Sequence, residues 1–314
     1  MNLQGRDIGT RYEDAAAVIR RAFQTNKEPF LNYNANFLAS CYTYPGAQPE
    51  LSPAFFHDDR LVSILVSLPR HVIFERKRLA LALLTLNAVE PEYRSYGLGI
   101  EMVAEAVRRA RASGYDGAIY CCVDGHRANR TSSAGVKAAN EACNHVYTVE
   151  YLIKILRVPS SDESEPAGAN DFLSSAERLS DRMSFCRVWT ADEAAWECSG
   201  RYGALSEKLE KHGNRGVLTG YILEADSGTG CLFLEDLLWD DLDSDARKML
   251  LQRFLNRAAR SALIAVVPLW GYTQYDIFHE MGFRRSNRRL HVYLSLWNGL
   301  QITSRPEAMY IDAL

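Results

Sequence analysis

The stretch NAVEPEYRSYGLGIEMV over residues 87–103 sets an Arg-x-x-Gly-x-Gly loop, Arg94, Gly97 and Gly99, between an apolar strand and an amphipathic helix. A helix start leaves its first backbone N–H groups without intrahelical acceptors and carries the positive end of the macrodipole, so it suits phosphate oxygens. Glycines let the backbone curl toward a pyrophosphate with no Cβ in the way, and Arg94 adds positive charge. The flanking elements narrow the choice further. Upstream, the apolar runs 54–57, 61–74 and 79–89 are separated by Asp58-Asp59-Arg60 and Glu75-Arg76-Lys77-Arg78, which predicts a three-stranded antiparallel meander. Downstream, apolar residues at 100, 103, 104, 107 and 110 mark one helix face ending at Gly114, and 117–123 (GAIYCCV) reads as a buried strand.

A dinucleotide-binding fold also joins strand, glycine loop and helix, but there the glycine turn begins almost at the strand end and between parallel strands. Here Glu90 to Tyr93 intervene after a meander, which disfavours that fold, and the absence of GxxxxGK[ST] excludes a Walker-type loop.

The rest of the chain organises around this unit. Residues 12–24 predict an amphipathic helix, 29–53 a broad loop with a short helix inside it, 134–146 a helical stretch and 151–158 a strand. The Ser-, Ala- and acid-rich stretch 159–182 reads as a linker between an N-terminal domain, 1–158, and a C-terminal one, 183–314. The strands at 217–225 and 231–239, helix at 243–260, strand at 262–270, helix at 275–283 and strand at 288–297 then repeat the first half's order of elements. An unrelated α/β domain is the competing reading of that half.

Net charge at pH 7 is −3, which offers no basic excess for nucleic acid, so no nucleic-acid partner is expected. Seven scattered cysteines form no CxxC pair, which suggests neither a disulfide framework nor a metal site and fits a reducing, cytoplasmic setting. No apolar run approaches the ~20 residues of a membrane helix, so no membrane partner is expected either.

The segment AVEPEYRSYGLGIEMV resembles the acyl-CoA-binding motif VxPxYRxxGxG of the GNAT superfamily of N-acyltransferases, matched at Val89, Pro91, Tyr93, Arg94, Gly97 and Gly99. The resemblance implies an α+β fold of two GNAT-like domains, each a mixed, mostly antiparallel sheet flanked by helices. It implies that the strand splays at Asn87, Ala88 and Val89 and bonds the pantetheine arm there, while the N–H groups of Arg94, Ser95, Tyr96, Gly97, Leu98 and Gly99 hold the pyrophosphate. The cosubstrate is then acetyl-CoA or another acyl-CoA, and no metal is needed. The second half lacks the motif and carries Asp240, Asp241, Asp243 and Asp245 where phosphates would sit, so it reads as degenerate.

Acyl transfer to an amine needs a neutral amine, donors for the oxyanion and a proton for the departing thiolate. The resemblance implies that a backbone N–H near Val89 supplies the second and a tyrosine in a pattern like NxxxxxxY the third. Asn140 and Tyr147 stand at that spacing, and a packing role for Tyr147 competes with the acid. Asp124 and His126 follow the buried strand and are the candidate bases, with turn or surface roles as the alternative. His71 and Glu75 are weaker candidates, and Cys121 and Cys122 read as buried strand residues rather than nucleophiles. The expected reaction is direct attack by a primary amine of a small molecule, with a noncatalytic acyl-CoA sensor as the alternative. A tRNA-dependent transferase runs against the acidic balance. The aromatics between Phe30 and Phe56 either floor an apolar pocket or pack the loop down.

Overall fold

A computed structural model describes residues 3–24, 31–124, 127–157 and 164–312, without the side chains of residues 127–129. The chain forms two compact units. One comprises Met1–Thr148 with Leu290–Pro306 and Ala313–Leu314, the other Val149–Arg289 with Glu307–Asp312.

In chain order the first unit holds β1 (Leu3–Arg6), α1 (Tyr12–Phe23), α2 (Ala35–Tyr42), β2 (Ala54–His57), β3 (Arg60–Phe74), β4 (Lys77–Val89), α3 (Leu98–Ala112), β5 (Gly117–Val123), α4 (Arg127–Ala138) and the start of β6 (Asn144–Ile155). The rest of β6 opens the second unit. It continues through α5 (Ala169–Ser180), β7 (Phe185–Arg187), α6 (Ala191–Ala195), β8 (Ala204–Lys211), β9 (Asn214–Glu224), β10 (Gly230–Leu238), α7 (Ser244–Ala258), β11 (Ile264–Leu269), α8 (Asp276–Glu280) and the first part of β12 (Arg284–Leu296).

The predicted meander is present, with two-residue turns at Asp58-Asp59 and Glu75-Arg76. All four residues have positive φ, the backbone that two-residue hairpins require because it matches the twist of the strands. β4 then pairs in parallel with β5, and β5 pairs antiparallel with Leu290–Leu296 of β12. Helix α3 buries Met102, Val103, Ala106, Val107 and Ala110 in one core with Ala82, Leu84, Ala118, Tyr120 and Val136. The second unit repeats the scheme: β8, β9 and β10 form an antiparallel meander, β10 pairs in parallel with β11, and β11 pairs antiparallel with β6. The architecture is α+β, two GNAT-like halves with mixed, mostly antiparallel sheets.

Three expectations are corrected. The helix after β5 runs from Arg127 to Ala138, and β6 starts at Asn144, because Asn140 adopts a left-handed φ of 61° that ends the helix. The 159–182 stretch is not a linker throughout. It contains α5, which buries Phe172, Ala176 and Leu179, residues spaced to share one helix face. The division at 158/183 is not the one the packing makes, since Leu290–Leu296 lie in the first unit as the partner of β5. The aromatics after residue 31 pack inward: Phe37, Tyr44 and Phe56 are buried, Tyr33 lies against Phe37 with ring centres 5.3 Å apart, and burial pushes the Tyr33 hydroxyl up to about 12. Phe30 lies outside the described residues.

Candidate active site

The site begins with a break in strand pairing. The β4–β5 ladder runs from Leu81–Gly117 to Leu84–Tyr120 and stops, although both strands continue. Against β3, β4 carries a bulge: Ile64 pairs with Ala88 and Val66 with Thr85, so Leu86 and Asn87 oppose Leu65 alone. Leu86 takes a φ of 51° there. A bulge bends its strand and sharpens the local twist, which accounts for β4 parting from β5 beyond Leu84. The Glu90 N–H bonds the Val62 carbonyl of β3 at 2.9 Å. Successive N–H groups of an extended strand point to opposite edges, so the Val89 N–H points to the edge that β5 has left.

Between β4 and α3 the chain makes a 3₁₀ turn over Pro91–Tyr96 and enters the helix through Gly97, whose φ is 73°. That left-handed backbone favours glycine. No side chain caps α3, so its first N–H groups are not taken up by a capping residue. Arg94, Ser95, Tyr96 and Gly97 are exposed, whereas Tyr93 and Leu98 are buried against Val62. Two anchors hold the turn. The buried Glu90 carboxylate pairs with Arg21 at 2.5 Å and with Arg60 at 3.5 Å, and the Tyr93 hydroxyl lies 2.7 Å from His57 Nδ1. The Arg94 guanidinium donates to the Ala22 carbonyl near the end of α1, so part of its bonding capacity serves that helix.

Asn87 joins bulge and loop: its Nδ2 donates to the Gly99 carbonyl at 3.1 Å. A Cβ on Gly99 would stand 2.9 Å from Thr131 Cγ2 of α4 and 3.6 Å from Val89 Cγ2. The small residue therefore serves helix packing at this point as well as access to the backbone. Asn87, Val89 and Gly99 thus stand together, with Ala88 buried in the ladder beside them.

The candidate acid–base residues distribute differently. Asp124 follows β5 directly, with its carboxylate 3.4 Å from His291 Nε2 of β12. His126 lies outside the described residues. Tyr147 is half-buried on β6, and burial raises its hydroxyl above the ordinary tyrosine value. Glu75 spends its carboxylate on Thr303 and Ser304, bonds that hold it below the usual carboxylate range. That anchoring accounts for Glu75. Cys122 is buried, and burial pushes its thiol up to about 11, as befits a packing residue.

Three polar residues were not picked out from the sequence. Thr148 Oγ1 lies 3.0 Å from His145 Nε2 and 3.1 Å from His291 Nδ1, and the two rings approach to 3.4 Å. Tyr293 edges onto His145 and stacks on Tyr120 with ring planes 10° apart. Only the pairing of β12 with β5 brings His291 beside Asp124, and no local motif encodes it.

In the second unit the same strand geometry carries different chemistry. The β10–β11 ladder ends at Phe233–Val266, and Glu235 and Asp236 bulge opposite Thr219. Asp243 caps α7, accepting from the Ala246 N–H at 2.7 Å. Asp240 accepts from Thr273, and Asp241 pairs with Arg178 at 2.7 Å.

Residues 9–123 match the family model described as an acetyltransferase (GNAT) domain. No curated protein matches the sequence. Among solved structures the chain is similar to Saccharomyces cerevisiae N-myristoyltransferase with bound myristoyl-CoA and inhibitors. The two are 14% identical with a TM-score of 0.75 over 98% of this chain and 86% of that one. It is also similar to GCN5-related N-acetyltransferases from Anabaena variabilis, at 8% identity and TM-score 0.57 over 93% of this chain and 72% of that one. A third similarity is to the one from Kribbella flavida, at 14% identity and TM-score 0.56 over 94% and 70%. At such identities the structural likeness is one of fold. Among the described residues, no helix is long and apolar enough to cross a membrane.

Proposed function

We infer that this chain, a tandem GNAT-superfamily protein whose first half carries the acyl-CoA-dependent transferase domain, is an N-acyltransferase acting by direct attack of a small-molecule primary amine. Acetyl-CoA is the donor we favour. The observation that carries the reading is the coincidence, within one β4–α3 connection, of a strand parted from its neighbour and a helix start without a side-chain cap. A pantetheine arm offers amide groups that extend the open edge of β4 at Asn87, Ala88 and Val89. Its pyrophosphate finds oriented N–H groups from Arg94 to Gly99. The Val89 N–H, aimed into the opening, suits the developing oxyanion. A tyrosine hydroxyl is protonated at neutral pH and burial raises that of Tyr147 further, which suits a donor to the departing thiolate. Asp124 and His126 are the proposed acid–base groups.

The test is thiol release from acetyl-CoA in the presence of a panel of primary amines, with acetyl-CoA affinity measured separately. Amine-dependent thiol release with one amide formed per thiol supports the reading. Tight binding without turnover for every amine would replace it with a noncatalytic acyl-CoA sensor.

A further inference from the structure

Acyl transfer to an amine that arrives as an ammonium ion has a fixed proton balance. R–NH3⁺ and acyl–S–CoA give an amide, CoA–SH and one H⁺. The nitrogen forms the new bond to the acyl carbon, the carbon–sulfur bond breaks, the thiolate takes one proton, and one proton per turnover must reach water.

In the first unit, four side chains, two from β6, one from β12 and one from the turn after β5, form a chain between a half-buried imidazole and the surface. His145 Nε2 is 3.0 Å from Thr148 Oγ1, Thr148 Oγ1 is 3.1 Å from His291 Nδ1, and His291 Nε2 is 3.4 Å from Asp124 Oδ1. Exposure orders the outer pair. The His291 side chain is 22% exposed and that of Asp124 62%, so the chain ends in bulk water. One set of tautomers satisfies every link: Asp124 accepts from His291 Nε2–H, His291 Nδ1 accepts from the Thr148 hydroxyl, and Thr148 accepts from His145 Nε2–H. The chain lies at the opened end of the sheet, because His291 pairs with Cys122, two residues beyond the point where β5 loses β4.

We propose that His145, Thr148, His291 and Asp124 form a proton relay that carries the ammonium proton of the acceptor from the reaction site to solvent. His145 takes that proton on its ring and gives up the one on Nε2 to Thr148 Oγ1. Thr148 passes its own to His291 Nδ1, and His291 releases Nε2–H to Asp124 or to water there. His145 is the receiving group, and Thr148, His291 and Asp124 are positioning and transfer residues behind it. The proposal rests on the N-acyltransferase reading above.

The surroundings of His145 favour the neutral ring that accepts a proton. Burial first, then the neighbouring His291 ring and the Arg305 guanidinium, hold it below the ordinary histidine value, against a hydrogen bond with the Tyr147 backbone. Tyr293 faces it from β12. Tyr120 of β5, stacked on Tyr293, bonds Ser133 of α4 and Cys143, and burial raises that phenol further above its ordinary value. Asp124 supplies a carboxylate at the outer end.

The experiment compares the wild-type chain with His145→Gln, Thr148→Val and Thr148→Ser for acetyl-CoA affinity, kcat and KM for an accepted amine, and the pH dependence of kcat. With a relay, His145→Gln lowers kcat by about 100-fold or more, leaves acetyl-CoA affinity within about twofold and removes the acidic limb of the profile. Thr148→Val lowers kcat by about tenfold, and Thr148→Ser, which keeps the hydroxyl, restores it. Unaltered pH profiles in His145→Gln and Thr148→Val overturn the relay while the transferase reading stands. If His145→Gln loses acetyl-CoA binding, the Thr148 pair decides by the same criterion. A wild-type chain that binds acetyl-CoA but acylates no amine overturns the transferase reading, and the relay falls with it.

Discussion

The β4–α3 connection of the first unit and the β10–α7 connection of the second are built to one plan. Each has a two-residue bulge, at Leu86-Asn87 and at Glu235-Asp236. Each loses its parallel neighbour two residues before the bulge, at Leu84 and at Phe233. Each feeds a helix of 15 residues. The difference lies in the connector and in where its polar groups go. The first connector, Glu90–Gly97, has eight residues, and the second, Trp239–Asp243, has five. The longer one turns exposed backbone toward an uncapped helix start, whereas the shorter one ends in Asp243, which caps its own helix. At the bulges, Asn87 bonds the loop through Gly99, whereas Asp236 is fully buried between Thr219 and Tyr310. Backbone geometry alone therefore does not make an anion site. A helix N-terminus serves a ligand only if no side chain has claimed its N–H groups first.

The largest expected effect breaks this contrast by giving the first connector the charge of the second. At Gly97 a Cβ would meet nothing within 4 Å, so the positive φ is the only steric cost. Gly97→Asp and Gly97→Asn share that cost and differ by one charge. Calorimetric titration with acetyl-CoA should show the Asp variant binding about 100-fold more weakly than wild type, as a carboxylate replaces room for phosphate. The Asn variant should retain most of the affinity. Equal losses in the two would assign the effect to backbone strain and remove the phosphates from this loop.

The next effect sharpens the contrast from the other side. Burial, and then the neighbouring Glu197 carboxylate, raise Asp236 from 3.8 to about 7, against the bonds from Thr219 and Tyr310. Glu197 is itself fully buried and lies 3.4 Å from Arg201, which also reaches Glu235 at 3.2 Å. A carboxyl raised in the folded state favours folding while protonated. Its contribution is fully present below about 3.8 and is lost as pH rises through about 7. Asp236→Asn mimics the protonated form. Denaturant unfolding should find the variant close to wild type near pH 4 and more stable near pH 8, by on the order of a few kcal/mol. Acetyl-CoA affinity should not change. Parallel pH–stability curves would show that Asp236 is charged in the folded protein throughout.

Much of this contrast could be read from residues in sequence. The Arg-x-x-Gly-x-Gly spacing, the turns at Asp58-Asp59 and Glu75-Arg76 and the run of Asp residues after β10 are local signals, and local signals survive in a one-dimensional text. The bulges were not legible. Leu86 and Asn87 continue an apolar run with no glycine, and only the register with β3 reveals the extra residue. Helix α5 was obscured by composition, because its Ser and acidic residues outnumber Phe172, Ala176 and Leu179. The pairing of His291 with Asp124 depends on the last strand returning to β5, a contact across more than half the chain that neither segment announces.

The smallest effect concerns Asp243 and asks whether the second connector can be turned back toward the first. Asp243→Ala removes the acceptor of the Ala246 N–H and the contact with Lys211 at 3.4 Å. It leaves the helix start uncapped, as at α3. Loss of a cap weakens a helix modestly, so thermal melting should fall by about 2 °C or less. If an open helix start were sufficient, the variant would acquire a second site for acetyl-CoA. We expect the stoichiometry to stay at one per chain, because Asp240 and Asp241 remain close by and the five-residue connector is too short to repeat the exposed turn of Arg94–Gly97. Two equivalents bound in the titration would show that the cap alone closed the second half to phosphate.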